Sequence, residues 1–526
     1  MRLSLKRNLS LLSMIGVITL TVAACGNNNN EAKSTSAPST QPASSVEASK
    51  EAPSASPEEA KKPDLKALHV YQNDDYNTYP VAKVIEEKTG YKVKYEMLPQ
   101  DKADDKLNLL IASGAEYDYV FMNGGSNGKA LYSDYAKRGA LTEIGPLIEE
   151  FGPNIKAAIA DASWEAVKVE GKIYAIPTSA SDGVGFDLII RQDWLDKVKL
   201  PMPTTLEEFT AVLKAFKEQD PGGNGKQNVP FSTRGDYPVL PNLNGAFGIA
   251  NSYNDVDGKL VPSALDPNFQ SYLEYMNDLF KQGLLEKEFA VNKDPNLKEK
   301  FTSGKLGVMP AHWADIPTLT DALQKTQPDA VIAYIPSLKG KDGVSGLGSS
   351  GGGLDRITFI PKSSKHAEDT IKFLNAKLEK ETHKLIAIGE EGKHYTFKDG
   401  AYTPILPIFA DERNAANNYL TGVDEVNYPI YWQARVRKDP RLFAAWESVN
   451  VKLPVAERKP DLLATAPYMP EYTKNYQTLG TLVNEYAVRF IVGSEKAGDI
   501  GAFQEKYKSS GRDVSLKEIN DWYTTK

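Results

Sequence analysis

The sequence predicts an α/β fold in which strands and helices alternate around parallel sheets covered on both faces. Three observations carry this. From Leu65 onward, short apolar runs interleave with helical periodicities of about 10–12 residues, the pattern of βαβ units. At 526 residues, with 41% hydrophobic and 10% aromatic side chains, the chain is long enough for more than one packing unit. Its single cysteine excludes a disulfide framework, a Cys-based zinc site and an iron–sulfur centre as the organising element.

Taken in order, residues 68–71 read as a strand, 79–88 as a helix stopped by Gly90, and 91–97 as a second strand. Residues 102–113 place Leu107, Leu110 and Ile111 at helical spacing, and 117–122 form a third strand. Further strands are expected at 171–177, 304–309, 331–335 and 356–360. Helices are expected at 194–198, 206–219, 269–282 and 366–378, and the chain after Tyr402 reads as mostly helical. The helix from Leu206 has Thr204 or Thr205 for its cap and Glu207 and Glu208 in its first turn. In open α/β sheets ligands collect beyond the carboxyl ends of strands, which points to the loops at 73–77 and 123–127.

The N-terminus places the lone cysteine. Arg2, Lys6 and Arg7 precede a mostly apolar run from Leu9 to Val22, followed by Ala23, Ala24 and Cys25. A basic start, a short apolar stretch and small residues before a cleavage point describe a secretory signal, residues 1–24. Residues 26–63 are mostly Asn, Ser, Ala, Pro, Glu and Lys with Val46 as the only large apolar side chain. Such a stretch cannot bury enough surface to offset its ordering entropy, so 25–63 is expected to be a disordered tether with a reach of about 35 Å.

With 62 basic against 69 acidic residues, the net charge of −7 argues against nucleic-acid partners. Gly346, Gly348 and Gly351 match a dinucleotide fingerprint, but a β-branched strand follows rather than a helix, so the pyrophosphate site is not formed. The five histidines are scattered and form no zinc motif, and no G-x-S-x-G elbow is present. A glycosidase carboxylate pair stays open, because its members need not be near in sequence. Asp220, Asn224, Lys226 and Asn228 resemble the oxygen positions of a calcium loop around Gly225. Gly222, neutral Asn228 and Phe231 stand where further ligands belong, so a plain Pro/Gly/Asn turn competes with weak calcium binding. Tyr76, Trp313, Tyr431 and Trp432 fall in expected loops after strands, where aromatic faces stack on sugar rings. Trp313 stands beside His312 and Asp315, whose polar atoms suit hydroxyl groups.

The small residues before Cys25 resemble a lipobox, which implies cleavage there and diacylglycerol on its sulfur. In order along the chain follow Asp118-Tyr-Val-Phe-Met-Asn-Gly-Gly125, Gly171-Lys-Ile-Tyr-Ala-Ile-Pro177, Arg191-Gln-Asp-Trp-Leu195, Phe301-Thr-Ser-Gly-Lys-Leu-Gly307 and Glu391-Gly-Lys-His-Tyr395. Together these resemble the extracellular solute-binding lipoproteins of carbohydrate ABC importers, the long type of Bacillus and Paenibacillus relatives. The resemblance implies a type II periplasmic-binding-protein-like fold of two α/β lobes joined by a multi-crossing hinge, with extra C-terminal helices. It divides the chain into lobe 1 (64–180 with 337–395) and lobe 2 (181–336 with 396–526). It implies a monomeric, non-enzymatic protein that captures an oligosaccharide and delivers it to an ABC permease. The only membrane attachment implied is the lipid, on the outer face of a Gram-positive-like cell. By position it adds Asn123, Ser179, Asp182 and Arg356 to Tyr76, Trp313, Asp315, Tyr431 and Trp432 as ligand contacts. A tethered glycan hydrolase or lyase and a peptide-binding lipoprotein remain the alternatives.

Overall fold

The computed structural model describes residues 61–180, 183–349 and 353–526, so the leader, Cys25, the tether up to residue 60, Asp182 and Gly351 lie outside the described residues. The first segment runs β1 (Leu65–His69), α1 (Pro80–Thr89), β2 (Val93–Met97), α2 (Ala103–Ala112), β3 (Tyr119–Asn123), α3 (Gly125–Lys137) and β4 (Ala175–Ser179). The second runs β5 (Phe186–Arg191), α4 (Leu206–Gln219), β6 (Val229–Phe231), α5 (Pro267–Lys281), β7 (Leu306–His312), β8 (Ile332–Ile335) and β9 (Leu347–Ser349). Then come β10 (Leu354–Phe359), α6 (Tyr428–Val436), α7 (Pro440–Asn450), β11 (Arg458–Pro460) and α8 (Pro470–Ile491). Local chemistry sets many of these ends. Pro80 opens α1 where no N–H is required, and Gly90 closes it at φ 71°. Thr205 caps α4 by accepting the Glu208 N–H.

Two sheets organise the fold. The first has the order β2-β1-β3-β10-β4, with β1 parallel to β2 and β3. The second has the order β8-β5-β7-β6. Neither is purely parallel, contrary to expectation: β10 runs antiparallel to β3 and β4, and β5 antiparallel to β7 and β8. The connectivity explains it. The chain leaves the first sheet at the carboxyl end of β4 and returns at that same edge, so β10 must run the opposite way.

Alternating strand positions feed two apolar layers on each sheet, as a doubly covered sheet requires. In the first sheet Ala67, Tyr119 and Phe121 face one core, and Leu68, Val120 and Met122 the other. In the second, Ile190 and Val308 lie in one core and Ile189 and Met309 in the other. The cores correct two of the expected crossings. Leu338 still belongs with the second sheet, and β9 pairs with β11, so the chain returns to the first sheet between Ser349 and Leu354 rather than near Pro336. Residues 396–434, placed above in lobe 2, contribute Phe409, Tyr419, Tyr428, Tyr431 and Ala434 to the first core. The final crossing is α6 itself, whose Val436 packs with Leu442 and Trp446 of α7 in a core of the second sheet. Nothing in the composition marks that change, because the helical segments on either side are equally apolar.

One buried charge belongs to the first core. Lys377 is 3% exposed, and its Nζ donates to the carbonyl of Tyr419 (2.7 Å) and to Thr421 Oγ1 (2.8 Å). Burial pushes its ammonium down to about 7. Between that value and the 10.5 of the unfolded chain the folded protein binds fewer protons, so stability rises with pH through this window. Urea unfolding is expected to show a gain of about 2–3 kcal/mol between pH 7 and 9, and Lys377→Met is expected to flatten most of it. Lys129, lowered to about 8 by burial, acts in the same direction and accounts for the remainder.

Candidate functional site

The carboxyl edge of the first sheet carries a built pocket. Thr178 and Ser179 end β4, and Arg356 near the start of β10 stands in register with Thr178 on one side and Asn123 on the other. Gly124 turns the chain away tightly: its N–H donates to the carbonyl of Asp355 (2.6 Å), and a Cβ there would lie 2.7 Å from the carbonyl of Leu354. Asn417, Leu420 and Val423 from the loop before α6, with Tyr428 and Trp432 of α6, complete a pocket of about 220 Å³.

Three lining residues carry a buried polar atom with no hydrogen-bond partner: Thr178 Oγ1, Arg356 Nη1 and Trp432 Nε1. Leaving such a group unpaired costs about 1–3 kcal/mol each, a cost that a ligand offering acceptors removes. The guanidinium of Arg356 lies 5.4 Å from the Phe121 ring centroid, with Nε 3.5 Å from Asp355. The indole of Trp432 is half-buried, with the Tyr428 ring at 6.1 Å and the Arg435 guanidinium at 5.4 Å. Arg435 spends its donors on the carbonyls of Arg413 and Asn414 and on Asn417 Oδ1, tying α6 to the loop. Ser179 Oγ donates to the carboxylate of Glu425, which also accepts the Ala160 N–H. Lys377 and Thr358 hold the same loop through Tyr419 and Thr421.

Of the expected contacts, the structure brings Ser179, Arg356 and Trp432 together in this pocket and sets Asn123, exposed, beside Arg356 in the sheet. Asp182 lies outside the described residues. Tyr76 is corrected: it is 1% exposed, its hydroxyl donates to the carbonyl of Val70, and its ring packs among His69, Tyr95 and Tyr419. Tyr431 is likewise a core residue, edge-on to Tyr402 at 5.4 Å. Trp313 is 6% exposed within a core of the second sheet, and Asp315 is ion-paired with Lys298 at 2.9 Å. In each case the space inside a core, not the sequence position after a strand, decides where a large ring goes. Thr178, Asn417 and Tyr428 were not anticipated. Pro429 at a helix start is the one local signal that could have drawn attention to Tyr428.

The 220–228 loop offers a calcium ion one carboxylate, against the six to eight oxygens such an ion takes. Asp220 supplies the one carboxylate, and both its oxygens accept backbone N–H groups, of Asn224 (2.9 Å) and Gly225 (2.7 Å). The amides of Asn224 and Asn228 donate to the carbonyls of Gly304 and Phe216, Lys226 is exposed, and Phe231 is buried in β6. Among the described residues no group of three or more His, Cys, Asp or Glu is placed to hold a metal. These bonds hold the loop in place but leave Asn228 Oδ1 buried without a partner. Calcium is expected to raise the melting temperature only at about millimolar concentration, as a loop with one carboxylate requires, and Asp220→Ala to cost about 1–2 kcal/mol in urea unfolding.

Two α/β bodies, the first with a pocket of unpaired donors at its sheet edge, give the architecture of a two-lobed binding protein. The comparisons identify it further: the chain belongs to the family of bacterial extracellular solute-binding proteins, whose profile matches residues 71–383. Lipoprotein LipO of Bacillus subtilis is 27% identical over 84% of this chain and 88% of its own. The fructooligosaccharide ABC transporter substrate-binding protein FusA of Streptococcus pneumoniae is 28% identical over 58% of each chain. The alginate-binding protein AlgQ2, solved without calcium, shares the fold at a TM-score of 0.64 and 23% identity, covering 88% of this chain and 98% of its own.

Proposed function

We propose that this protein is the substrate-binding component of a carbohydrate ABC importer, anchored outside the cell through Cys25 and capturing an oligosaccharide for delivery to the permease. Family membership supports the transport role, and FusA shows that sugar capture belongs to at least one relative. The observation that carries the reading is the pocket at the carboxyl edge of the first sheet, where Thr178, Arg356 and Trp432 hold unpaired polar atoms beside aromatic rings. Hydroxyl and ring oxygens of a sugar supply what those atoms lack, and the indole face suits its C–H surface.

In this reading lobe 1 comprises residues 64–180 with 354–434, and lobe 2 comprises 183–349 with 437–526. Contacts made by both lobes favour the closed form, and the permease reads that population shift. The protein acts as a monomer and breaks no bond. The test incubates the protein with a panel of oligosaccharides and follows melting temperature and products together. A raised melting temperature with the sugar returned intact supports the reading. New reducing ends make the protein a hydrolase, and stabilisation by peptides alone makes it a peptide binder.

A further inference from the structure

We infer that residues 461–469 form a latch, which clasps the second body to the first through Lys129 without help from any ligand. The inference goes beyond the transport reading and does not rest on it. In that reading contacts with the ligand draw the two bodies together, whereas the latch assigns part of that work to the chain itself.

The latch segment runs from β11 to α8 and is built as part of the second body. The Asp461 N–H donates to the carbonyl of Ser349 in β9 at 2.9 Å, and the Asp461 carboxylate accepts the Leu463 N–H at 2.9 Å. Leu463, Ala466 and Met469 share a small core with Tyr253, Leu260 and Ile519. Those partners come from the paired strands Tyr253–Val256 and Lys259–Pro262 and from the last helix, Asp513–Tyr523. The final residue, Lys526, lies 3.8 Å from the Trp522 ring centroid and donates to Thr465 Oγ1 at 3.2 Å. From the latch α8 leads on into a core of the second sheet, which it enters with Leu479 and Tyr486.

The other half of the clasp is α3, which buries Tyr132, Tyr135 and Ala136 in a core of the first sheet. From this helix the Lys129 Nζ donates to the carbonyl of Ala466 at 2.8 Å. Ala466 is 5% exposed, and Pro470, four residues on, has no N–H to give that carbonyl. Burial lowers the Lys129 ammonium, and the negative charge of Asp461 partly offsets this. Two turns further along α3, the Lys137 Nζ stands 5.5 Å from the Tyr468 ring centroid. A hydrogen bond from a charged donor is of the stronger kind. Water replaces it when the bodies part, so the clasp biases their separation and does not lock it.

Small-angle X-ray scattering and hydrogen exchange on the full chain, with no sugar present, test this. Lys129→Met keeps the stem of the side chain and removes the donor. It is expected to raise the radius of gyration and to speed exchange in peptides covering 462–468 about tenfold. Lys129→Arg, which keeps a charged donor, is expected to leave both readings near wild type. Scattering from a folded Lys129→Met protein that matches wild type overturns the latch. Faster exchange with unchanged scattering overturns it too, because Lys129 then ties down only its own segment. Neither result touches the sugar-binding reading, since no ligand enters the experiment.

Discussion

Trp313→Ala is expected to lower the unfolding free energy by about 3–5 kcal/mol, the cost of emptying a large buried site. The indole is 6% exposed and lies in one core with Ile316, Leu319, Ala445 and Trp446. It opens a short 3-10 turn (Trp313–Asp315) that carries the chain from β7 into the helix Ile316–Gln324. Its Nε1 has no hydrogen-bond partner, so the loss is one of burial and packing alone. Because α7 supplies Ala445 and Trp446, the cavity would also loosen that helix against the second sheet. Urea unfolding gives the stability, and titration of the folded variant gives the affinity. A variant of wild-type stability that no longer binds sugar would return Trp313 to the ligand site.

The second large effect is on binding. Arg356→Met is expected to cost about 1.5–3 kcal/mol of ligand affinity, the range for a hydrogen bond to a charged group, or roughly 10- to 150-fold in Kd. Its Nη1 is buried and unpartnered before the ligand arrives. Removing it therefore takes an uncompensated polar group out of the unliganded protein, and the melting temperature of the ligand-free variant is expected to rise. The two signs together are diagnostic. A purely structural arginine would lower stability on removal and leave affinity alone. Calorimetry with the cognate sugar and a thermal melt without it read both signs.

Much of the architecture was legible because periodicity reports burial. The short apolar run in 117–122 and the helical spacing in 206–219 correspond to β3 and α4. The strand β5 (Phe186–Arg191) was missed because it is a short apolar run that passes directly into a helix, with no break between the two. The antiparallel return of β10 was invisible for a different reason: strand direction depends on where the chain re-enters a sheet, which is a property of the whole path. The candidate pocket was legible in part, as residues brought together rather than as a tested ligand site. Ser179, Arg356 and Trp432 were named, but the pocket joins β4, β10 and α6 across a wide stretch of sequence, so no spacing announces it. Tyr76 and Tyr431 were misread because a ring in a loop and a ring in a core look alike in one dimension. The motif Arg191-Gln-Asp-Trp-Leu195 shows the converse. Its Arg191 pairs with Asp193 through two hydrogen bonds and its Trp194 is fully buried, so it marks the family through packing rather than ligand contact.

The placement of α6 has a practical side. This helix has Tyr428 in the first core, Val436 in a core of the second sheet, and Trp432 between them on the pocket wall. The helix that holds an indole next to a guanidinium is therefore built into cores of both sheets. Trp194, Trp313 and Trp446 are shielded inside cores of the second sheet, while Trp164 and Trp522 are half-buried away from the pocket. Trp432 lines the pocket instead, so if a sugar fills that space its emission is expected to shift on binding, a label-free gauge of occupancy.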